Sequence, residues 1–258
     1  MICHTHASLR YYAFETFADL RHGVFTRLGG MSQAHLHSLN VGGNVGDDEE
    51  AVAENYRRIF ALLDLQAERV CSVWQVHSKD CLVVNQPAEG RHWIAQADGM
   101  VTAQPDTPLV MRYADCTPLF FHDPVQRVIG IAHAGWRGTV QGIGAEMIRL
   151  MVDTYGCVPH QIRTAIGPSI GPDHYQVGEE VVEAVRQYFG TLEGLVTYDA
   201  MDHSAYLNLW AANELDLRRH GVEHVEVAGI CTACHTDEFF SHRAEQGKTG
   251  RFGGVISL

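Results

Sequence analysis

The feature of this sequence that most constrains its fold is a run of three strand-like segments with no helical segment between them. Residues 107–116 (TPLVMRYADC) predict one strand, and residues 117–133 (TPLFFHDPVQRVIGIAH) predict two more, joined by a turn that contains Pro124. A regular doubly wound fold places a crossover helix between successive parallel strands. The order therefore predicts an α/β fold of layered, mixed sheets with the helices outside them.

Helices are predicted on both sides of this run. The segment 47–65 opens with two Asp and two Glu, which suit the positive end of a helix dipole, and its apolar residues fall on one face. The other predicted elements are helices over 139–155, 178–190 and 206–221, and strands over 69–78 and 224–230. No repeat or linker interrupts the chain, so we expect a single domain over residues 1–258.

The composition is typical of a globular protein, with 46% hydrophobic and 19% charged residues. No apolar run approaches the ~20 residues that span a bilayer, so no membrane segment is expected. The N-terminal sequence MICHTHASLRYYAF lacks the basic and apolar regions of a secretory signal. The seven cysteines are therefore expected to be reduced thiols, and the cytoplasm is the expected location.

The formal net charge of −12 argues against binding to DNA or RNA, which requires a positive field. A small anionic ligand needs only a local cluster of cations. Lysine occurs only at Lys79 and Lys248, so nearly all cations are arginines, which can bind phosphate or carboxylate through two parallel hydrogen bonds. The composition favours small-molecule partners, and it does not predict the oligomeric state.

Three side chains suited to metal binding lie at the ends of predicted strands: His77, Cys116 and His133. Strand ends bring side chains from distant parts of a chain to one place, where α/β folds carry their sites. One thiolate and two imidazoles form a plausible zinc set that leaves the fourth position open, as in catalytic sites. Ligands from separate strands have no spacing signature, so the pattern also fits a buried thiol and two hydrogen-bonded imidazoles.

The same residues also fit nucleophilic catalysis. Cys116 would attack, His133 would act as the base, and Asp115 or another carboxylate would orient the imidazole. The two interpretations largely exclude each other, because a thiolate that binds zinc is a poor nucleophile. From the residues alone, both hypotheses stay open.

Four arginines lie beside glycines or at predicted element boundaries; they are Arg27, Arg137, Arg243 and Arg251. Arg137 precedes a predicted helix whose free N–H groups would favour an anion. Together they indicate a phosphate or carboxylate pocket, although any single one fits a solvated surface charge equally well. Asn40, in a glycine-rich segment, is a candidate polar contact. The Gly/Pro-rich segment 167–181 would form either a pocket wall or a structural crossover.

The sequence CTACH (231–235) matches the C-x-x-C-H pattern of covalent haem attachment. Such attachment normally requires export, and no export signal is recognised. Haem is therefore not expected, and Cys231 is interpreted as a buried residue that follows a strand.

Seven motifs in the same order give the chain a resemblance to a known family. They are FTRLGGMS, SLNVGGNVGDD, WQVHS, ADCTPLFFHDP, IAHAGWRGTVQGI, IGPSIGPDHYQVGEEV and CTACHTDEFFSHRAEQGKTGR. From about Phe25 onwards the chain resembles the YfiH-like family, historically named multicopper polyphenol oxidoreductase (laccase) and also described as a purine nucleoside phosphorylase family.

The resemblance implies an α-β-β-α sandwich related to a bacterial toxin with a Cys-His catalytic pair. It implies a zinc ion, with copper as the other metal proposed, held by the residues that match His77, Cys116 and His133. It also implies phosphorolysis of adenosine, inosine and methylthioadenosine to the base and ribose 1-phosphate, and deamination of adenosine. Some bacterial members are named peptidoglycan editing factors, which implies cell-wall precursors as a different substrate class.

The sequence departs from the family pattern in two motifs. Ser169 stands where Cys is common, and His242 and Ala244 replace the usual Tyr and second Arg around Arg243. A true laccase also needs about ten His and one Cys, arranged in H-x-H pairs. HTH (4–6) and HLH (35–37) are the only such pairs, neither follows a predicted strand, and the first lies at an N-terminus expected to fray. Copper-dependent polyphenol oxidation is therefore the least favoured activity.

A phosphorolysis mechanism assigns roles to these residues. Arg137 and Arg243, with Arg27, would hold phosphate, and zinc would bind a water or a substrate hydroxyl. Asp115 is the carboxylate expected to shuttle protons; alternatively it orients a histidine. Trp136 would stack on a purine or pack in the core. The other function class that the residues allow is a Cys-His hydrolase that acts on an amide, including cell-wall precursors.

Overall fold

The computed structural model describes residues 1–90 and 93–258. Its strands, in chain order, are β1 (Ile2–His6), β2 (Leu9–Ala13), β3 (Arg21–Phe25), β4 (Cys71–Ser72), β5 (Cys81–Val83), β6 (Gly99–Thr102), β7 (Leu109–Tyr113), β8 (Thr117–Asp123), β9 (Val128–Ala134), β10 (Arg163–Ile166), β11 (Gln176–Val177), β12 (Val196–Tyr198), β13 (Ala205–Leu207), β14 (His224–Val227) and β15 (Phe252–Ser257). Its α-helices are α1 (Glu49–Leu62), α2 (Trp136–Val140), α3 (Ile143–Tyr155), α4 (Glu179–Phe189) and α5 (Leu209–Arg219). Single 3-10 turns cover Glu15–Phe17, Ala34–Leu36, Ala67–Arg69 and Pro159–Gln161.

Two six-stranded sheets form the body of the protein. The strand order is β1-β2-β3-β15-β7-β4 in sheet 1 and β14-β10-β8-β9-β6-β5 in sheet 2, and β11-β13-β12 form a small third sheet. Most neighbouring strands are antiparallel, but β4 runs parallel to β7, β5 to β6, and β10 to β14. The predicted mixed sheets are therefore confirmed.

The central core lies between the two large sheets and follows from the alternation of side chains along each strand. In β8, the buried Phe120 belongs to the core shared with Tyr113 and Phe252 of sheet 1. Its neighbours Leu119 and Phe121 belong instead to the cluster on the other side of sheet 2. Successive strand residues point to opposite faces, so a strand of apolar residues joins two layers at once. Each such buried side chain contributes about 1.5–3 kcal/mol through loss of contact with water.

Helices cover the outer face of each large sheet. Ile59 and Phe60 of α1 pack with Val110 and Val255 of sheet 1. On sheet 2, buried residues of α3 and α5 form the cluster that contains Leu119. The layers thus run α-β-β-α, which confirms the predicted fold class. Among residues 1–90 and 93–258, no helix has the length and apolar character needed to cross a bilayer.

The predicted helix over 139–155 is wrong in its start, because the structure divides this region into α2 and α3. Gly142 separates them with φ of +79°, a left-handed conformation that favours glycine. A Cβ at this position would lie 2.4 Å from the hydroxyl of Tyr188, so the break is also a point of close contact. The short α2 therefore holds residues 136–140 in a turn of its own, directly after β9.

Other helices and strands lie close to their predicted places with altered ends. The first helix begins at Glu49 because Asp48 caps it by accepting a hydrogen bond from the Glu50 N–H. The predicted helix over 206–221 begins only at Leu209, since residues 205–207 pair with both neighbouring strands of the third sheet. The predicted strand over 224–230 ends at Val227.

The predicted strand over 69–78 is wrong in its extent, because only two of its residues form β4. Farther along, the Gln75 side chain replaces the backbone ladder: its amide donates to the Arg112 carbonyl at 2.7 Å and its carbonyl accepts from the Arg112 N–H at 3.0 Å. The chain then turns away from sheet 1. His77 consequently lies in a loop, not at the end of a strand.

Candidate active site

Three side chains from different parts of the chain converge beside the carboxyl ends of β7 and β9. Cys116 lies in the turn between β7 and β8, His133 is the penultimate residue of β9, and His77 comes from the loop after β4. Their ligand atoms all lie within 4.8 Å of one another. The structure therefore brings together the three residues predicted as metal ligands, although His77 arrives by a different route from the one predicted.

The buried carboxylate of Asp98 organises both histidine arms. Its Oδ1 lies 2.9 Å from Nδ1 of His133, while its Oδ2 accepts hydrogen bonds from the Val76 and Ser78 N–H groups at 3.1 and 2.7 Å. The loop folded around this carboxylate holds His77 at φ of +60°, a conformation that is uncommon outside glycine. Because Nδ1 of His133 is occupied by Asp98, Nε2 is the ring nitrogen available to a metal or to Cys116.

The Cys116 thiol and the His133 imidazole are electrostatically paired. Burial alone would raise the pKa of Cys116, but the charge of His133 and hydrogen bonds with both histidines lower it to about 6. Burial would lower the pKa of His133, but the charge of Cys116 and the hydrogen bonds with Asp98 and Cys116 raise it to about 9. Without a metal, each of the two groups therefore favours the charged form of the other.

The space around these three residues suits a small metal ion. One thiolate and two imidazoles are a donor set that zinc and other borderline metal ions prefer. A Cβ at Gly135 would lie 3.0 Å from Sγ of Cys116 and 3.3 Å from Cδ2 of His77, so a larger residue there would crowd the triad. The orientation of His133 by Asp98 is the arrangement that metal-binding histidines usually have. The residues present therefore fit a metal ion.

The triad opens into a cavity of about 490 Å³, within the range of small-molecule sites. Two tryptophans stand at its wall: Trp74 and Trp93 are both exposed and meet edge to face at 4.7 Å. Trp136 also lines the cavity, and its other side packs against the cluster of α4 and α5. Its contact with the cluster agrees with the predicted core packing, and stacking on a purine stays a prediction.

Four arginines line the same cavity: Arg112, Arg137, Arg243 and Arg251. Across the described part of the chain, ion pairs hold many other arginines, such as Arg149 with Glu146 and Asp153, but none of these four. Arg251 donates only to backbone carbonyls, and Arg137 stacks on Trp136 at 4.4 Å. Unpaired guanidinium groups in one cavity create a local positive field in an otherwise acidic protein.

The backbone around Asp115 connects the triad to this positive wall. Asp115 has φ of +81°, and its buried carboxylate accepts from the Thr232 hydroxyl at 2.6 Å and from the Arg243 N–H at 2.7 Å. The Arg243 guanidinium in turn donates to the Gln176 carbonyl and lies over the Tyr175 ring. Asp115 therefore ties the turn that carries Cys116 to the segment that carries Arg243.

Two predicted ligand contacts lie outside the cavity. The Arg27 guanidinium pairs with Glu245 at 3.0 Å and stacks on Phe240. Asn40 is fully buried, where its amide donates to Asp47 and its carbonyl accepts from the Arg251 N–H. Both side chains hold loops together, so their positions do not support the predicted substrate contacts. Asn40 does bear on the site indirectly, because it fixes the backbone of Arg251.

Sequence reasoning missed two residues of this site. Asp98 lies in the segment QADGM, just before β6. No spacing pattern in the sequence connects this single acidic residue with His133. Arg112 lies inside an apolar strand, and an arginine between Met111 and Tyr113 is the signal that could have identified it. A charged residue in a buried strand needs a partner or a ligand.

The HTH and HLH pairs are separate from this site. HTH belongs to the exposed edge strand β1 and is hydrogen-bonded to β2, which corrects the expectation of a frayed N-terminus. In the described residues, the groups that could hold a metal ion are the triad and a second cluster, His174 with Cys231 and Cys234. Neither of these two groups includes a histidine of the HTH or HLH pairs.

The chain matches the family model described as multi-copper polyphenol oxidoreductase laccase over residues 21–258. It belongs to this family. The resemblance predicted from the sequence is thereby confirmed.

Several relatives within the polyphenol oxidoreductase laccase family carry another name. The chain is 36% identical to the purine nucleoside phosphorylase YlmD of Geobacillus stearothermophilus over 248 residues, which cover 93% of this chain and 90% of the relative. It is 33% identical to the purine nucleoside phosphorylase YfiH of Escherichia coli over 238 residues, covering 90% and 91%.

Solved structures agree with this membership. The crystal structure of YlmD from Geobacillus stearothermophilus superposes with a TM-score of 0.92 at 34% identity and covers 99% of this chain and 98% of its own. The Bacillus licheniformis hypothetical protein YfiH gives a TM-score of 0.92 at 32% identity, with coverage of 98% and 97%. The layered α/β fold is therefore that of the family.

Proposed function

We propose that this protein is a metal-dependent purine nucleoside phosphorylase. The observation that carries the proposal is the meeting, in one cavity, of a Cys-His-His donor set and four arginines without carboxylate partners. Phosphorolysis needs both parts: a place for an anionic nucleophile and polarising groups near the sugar. The name purine nucleoside phosphorylase carried by relatives such as YlmD supports the same activity.

Phosphate would bind between the arginine side chains. Arg137 and Arg243 approach the cavity from different elements, and Arg251 comes from the segment before β15. Burial lowers the pKa of Arg251, so an anion beside it would relieve the cost of a buried charge. We assign the attraction for phosphate to these guanidinium groups and not to the N-terminus of α2. The helix has only five residues, so its dipole contributes little.

The nucleoside base would lie against the tryptophans of the cavity. Trp74 and Trp93 present exposed ring surface, and Trp136 lies beside Arg137. Aromatic faces stack on purines with little dependence on the base, which suits adenosine, inosine and methylthioadenosine as alternative substrates. Phosphate on the arginines and a base on the tryptophans would place the ribose near Cys116 and His133.

We propose zinc as the metal, held by His77, Cys116 and His133. A bound zinc ion supplies a Lewis acid that polarises an oxygen of the substrate or of water, and this chemistry would also serve adenosine deamination. Asp98 holds Nδ1 of His133 and thereby turns Nε2 towards the metal. We assign Asp115 a positioning role towards Arg243 instead of a proton shuttle, because both its oxygens accept hydrogen bonds.

The test is a product assay with adenosine, inosine or methylthioadenosine, each with and without phosphate. We expect ribose 1-phosphate (its 5-methylthio derivative from methylthioadenosine) and free base only when phosphate is present, while adenosine also gives inosine without phosphate. Arg186→Ala is the matched control, since Arg186 pairs with Glu183 on the exposed side of α4. Absence of sugar phosphate from all three nucleosides with metal-loaded protein would contradict the proposal.

A second candidate function is hydrolysis of an amide by Cys116, as in cell-wall precursor editing. The observation that favours it is the chain of Cys116, His133 and Asp98, with the pKa of the thiol lowered to about 6. The two functions differ in their metal requirement. Metal-free protein that cleaves an amide, and that loses this activity when Cys116 is alkylated, would support the hydrolase.

We propose the cytoplasm as the location. None of the cysteines forms a disulfide in the described residues, and a reducing compartment keeps cysteines in the thiol state.

A further inference from the structure

A second cluster of soft ligands lies outside the cavity. Nδ1 of His174 is 3.5 Å from Sγ of Cys234 and 3.8 Å from Sγ of Cys231, and the three ligand atoms all lie within 4.8 Å of one another. None of the three residues lines the cavity of the first triad. The cysteines are the C-x-x-C pair of CTACH, but the histidine beside them is His174, from the Gly/Pro-rich loop, and not His235 of the motif.

These separations match those of a tetrahedral metal site. With Zn–S of about 2.3 Å and Zn–N of about 2.0–2.1 Å, a tetrahedral angle places nitrogen and sulfur about 3.6 Å apart. The two measured N···S distances lie within about 0.2 Å of this value. A hydrogen bond between neutral thiols and imidazole would satisfy only one pair at a time, whereas one cation satisfies all three.

The backbone near Cys231 is also arranged for a thiolate. The Gly171 N–H donates to Sγ of Cys231 at 3.1 Å, and a Cβ at Gly171 would lie 3.0 Å from Cβ of Cys231 and 3.1 Å from its Sγ. An N–H group that points at sulfur stabilises the negative charge of a metal-bound thiolate. A larger residue at Gly171 would crowd this sulfur, so glycine favours the close approach of the loop to the cysteine segment.

We propose that Cys231, Cys234 and His174 bind a second metal ion, of the zinc class, with a structural role. Two thiolates and one imidazole favour zinc among the common divalent ions. Binding exchanges two thiol protons, released to solvent, for one divalent cation. Three ligands from the protein would leave the fourth tetrahedral position for a water molecule.

The second ion would fasten together two walls of the active-site cavity. His174 immediately precedes Tyr175, which lines the cavity, and Cys231 precedes Thr232, which donates to Asp115. Asp115 in turn accepts from the Arg243 N–H. A metal between the His174 loop and the cysteine segment thus holds the same walls that carry Tyr175 and Arg243, without any contact with substrate.

The first test uses wild-type protein and zinc alone. Cys234 and Cys3 are both exposed, so an alkylating reagent can reach both thiols when no metal is present, and the reaction is run at a pH high enough for both to react. We expect zinc to slow alkylation of Cys234 by about tenfold or more relative to chelator-treated protein, with Cys3 unchanged as the internal reference. Equal Cys234 rates with zinc and with chelator, or a Cys231–Cys234 disulfide in protein purified under reducing conditions, would overturn the proposal.

The second test counts metal ions. We expect about two zinc ions per chain in wild type, about one in Cys234→Ser and about one in Cys116→Ala, with Cys3→Ser as the matched control. A wild-type ratio of about one that Cys234→Ser leaves unchanged would refute the second site. The number of bound zinc ions does not depend on catalysis. The second metal site can therefore be refuted while the proposed phosphorylase activity is confirmed, and the activity can be refuted while the second site is confirmed.

Discussion

The two Cys/His clusters use the same ligand types in opposite surroundings. The triad of His77, Cys116 and His133 opens into a cavity, and a buried carboxylate orients one of its imidazoles. The cluster of His174, Cys231 and Cys234 lies outside that cavity, with a backbone N–H as its added partner. The difference teaches that donor type alone does not identify a catalytic centre. Access to a cavity and charged neighbours separate a site that can act on substrate from one that can only hold loops together.

The largest effect should come from removing the triad thiol. Cys116→Ala deletes one of three ligands, so we expect loss of the cavity metal and a fall in kcat/KM of at least about 10³-fold. Metal content and phosphorolysis rate would both be measured. Loss of metal from the Cys231 cluster and not from the triad would contradict the distinction between the two clusters.

A smaller effect is expected when the orienting carboxylate loses its charge. Asp98→Asn keeps the shape but removes the acceptor for Nδ1 of His133 and weakens the acceptor of the Val76 and Ser78 N–H groups. We expect metal affinity or activity to fall about 10–100-fold. A zinc titration monitored by competition with a chelator would measure this. An unchanged affinity would show that the two histidines need no such support.

The arginines should affect phosphate and leave the metal in place. Arg243→Ala removes a charged hydrogen-bond donor worth about 1.5–3 kcal/mol, so KM for phosphate should rise about tenfold or more, while the zinc content stays at the wild-type value. Arg186→Ala is the control, and kinetics at varied phosphate with fixed inosine provide the measurement. Equal KM values for phosphate in the two variants would remove Arg243 from the proposed phosphate site.

The second cluster should influence stability more than chemistry. Cys234→Ser is expected to lower the Tm of zinc-loaded protein and to reduce phosphorolysis only a few-fold, about 1 kcal/mol in the barrier. Thermal unfolding with and without chelator would show the effect, with Cys3→Ser beside it. A loss of activity as large as that of Cys116→Ala would contradict a structural role.

The pH dependence of alkylation distinguishes the clusters in metal-free protein. Because the pKa of Cys116 is lowered to about 6, its thiolate exists above that pH and its alkylation rate should rise through about pH 6. Burial and the neighbouring Cys231 raise the pKa of Cys234, so its rate should rise only at a pH above the ordinary thiol range. Mass spectrometry of both peptides from one pH series gives the two curves. Coinciding curves would mean that His133 does not lower the thiol pKa.

Part of this site followed from the sequence because local patterns determine it. The three strands before α2 were predicted correctly, and with them the positions of Cys116 after β7 and of His133 near the end of β9. The sequence did not predict the path of the chain to His77. The side chain of Gln75 takes the place of the backbone pairing that the apolar alternation predicts. Hydrogen bonds of this kind, from a side chain to the backbone of another strand, depend on the partner strand, which the local sequence does not contain.

The contacts that the sequence did not predict share one physical cause. Arg27 and Asn40 have glycine-rich neighbours like those of a binding loop, and each makes long-range contacts with residues near the C-terminus. The CTACH motif was interpreted as a local pattern, whereas the histidine that lies beside its cysteines, His174, is 57 residues before Cys231. Partners that meet only through the fold leave no spacing in the chain.

The carboxylate of Asp98 has a consequence for how metal enters the protein. It hydrogen-bonds the loop of His77 and the ring of His133 through its two oxygens, so both arms are set during folding by contacts within the chain. The conformational entropy of these two arms is then lost during folding, before the metal ion binds. Metal binding consequently exchanges the water ligands of the ion for side chains that are already in place, and it does not require further folding. Its speed should follow the ion's release of water and its passage through the cavity, so ions that release water at different rates should load at different speeds.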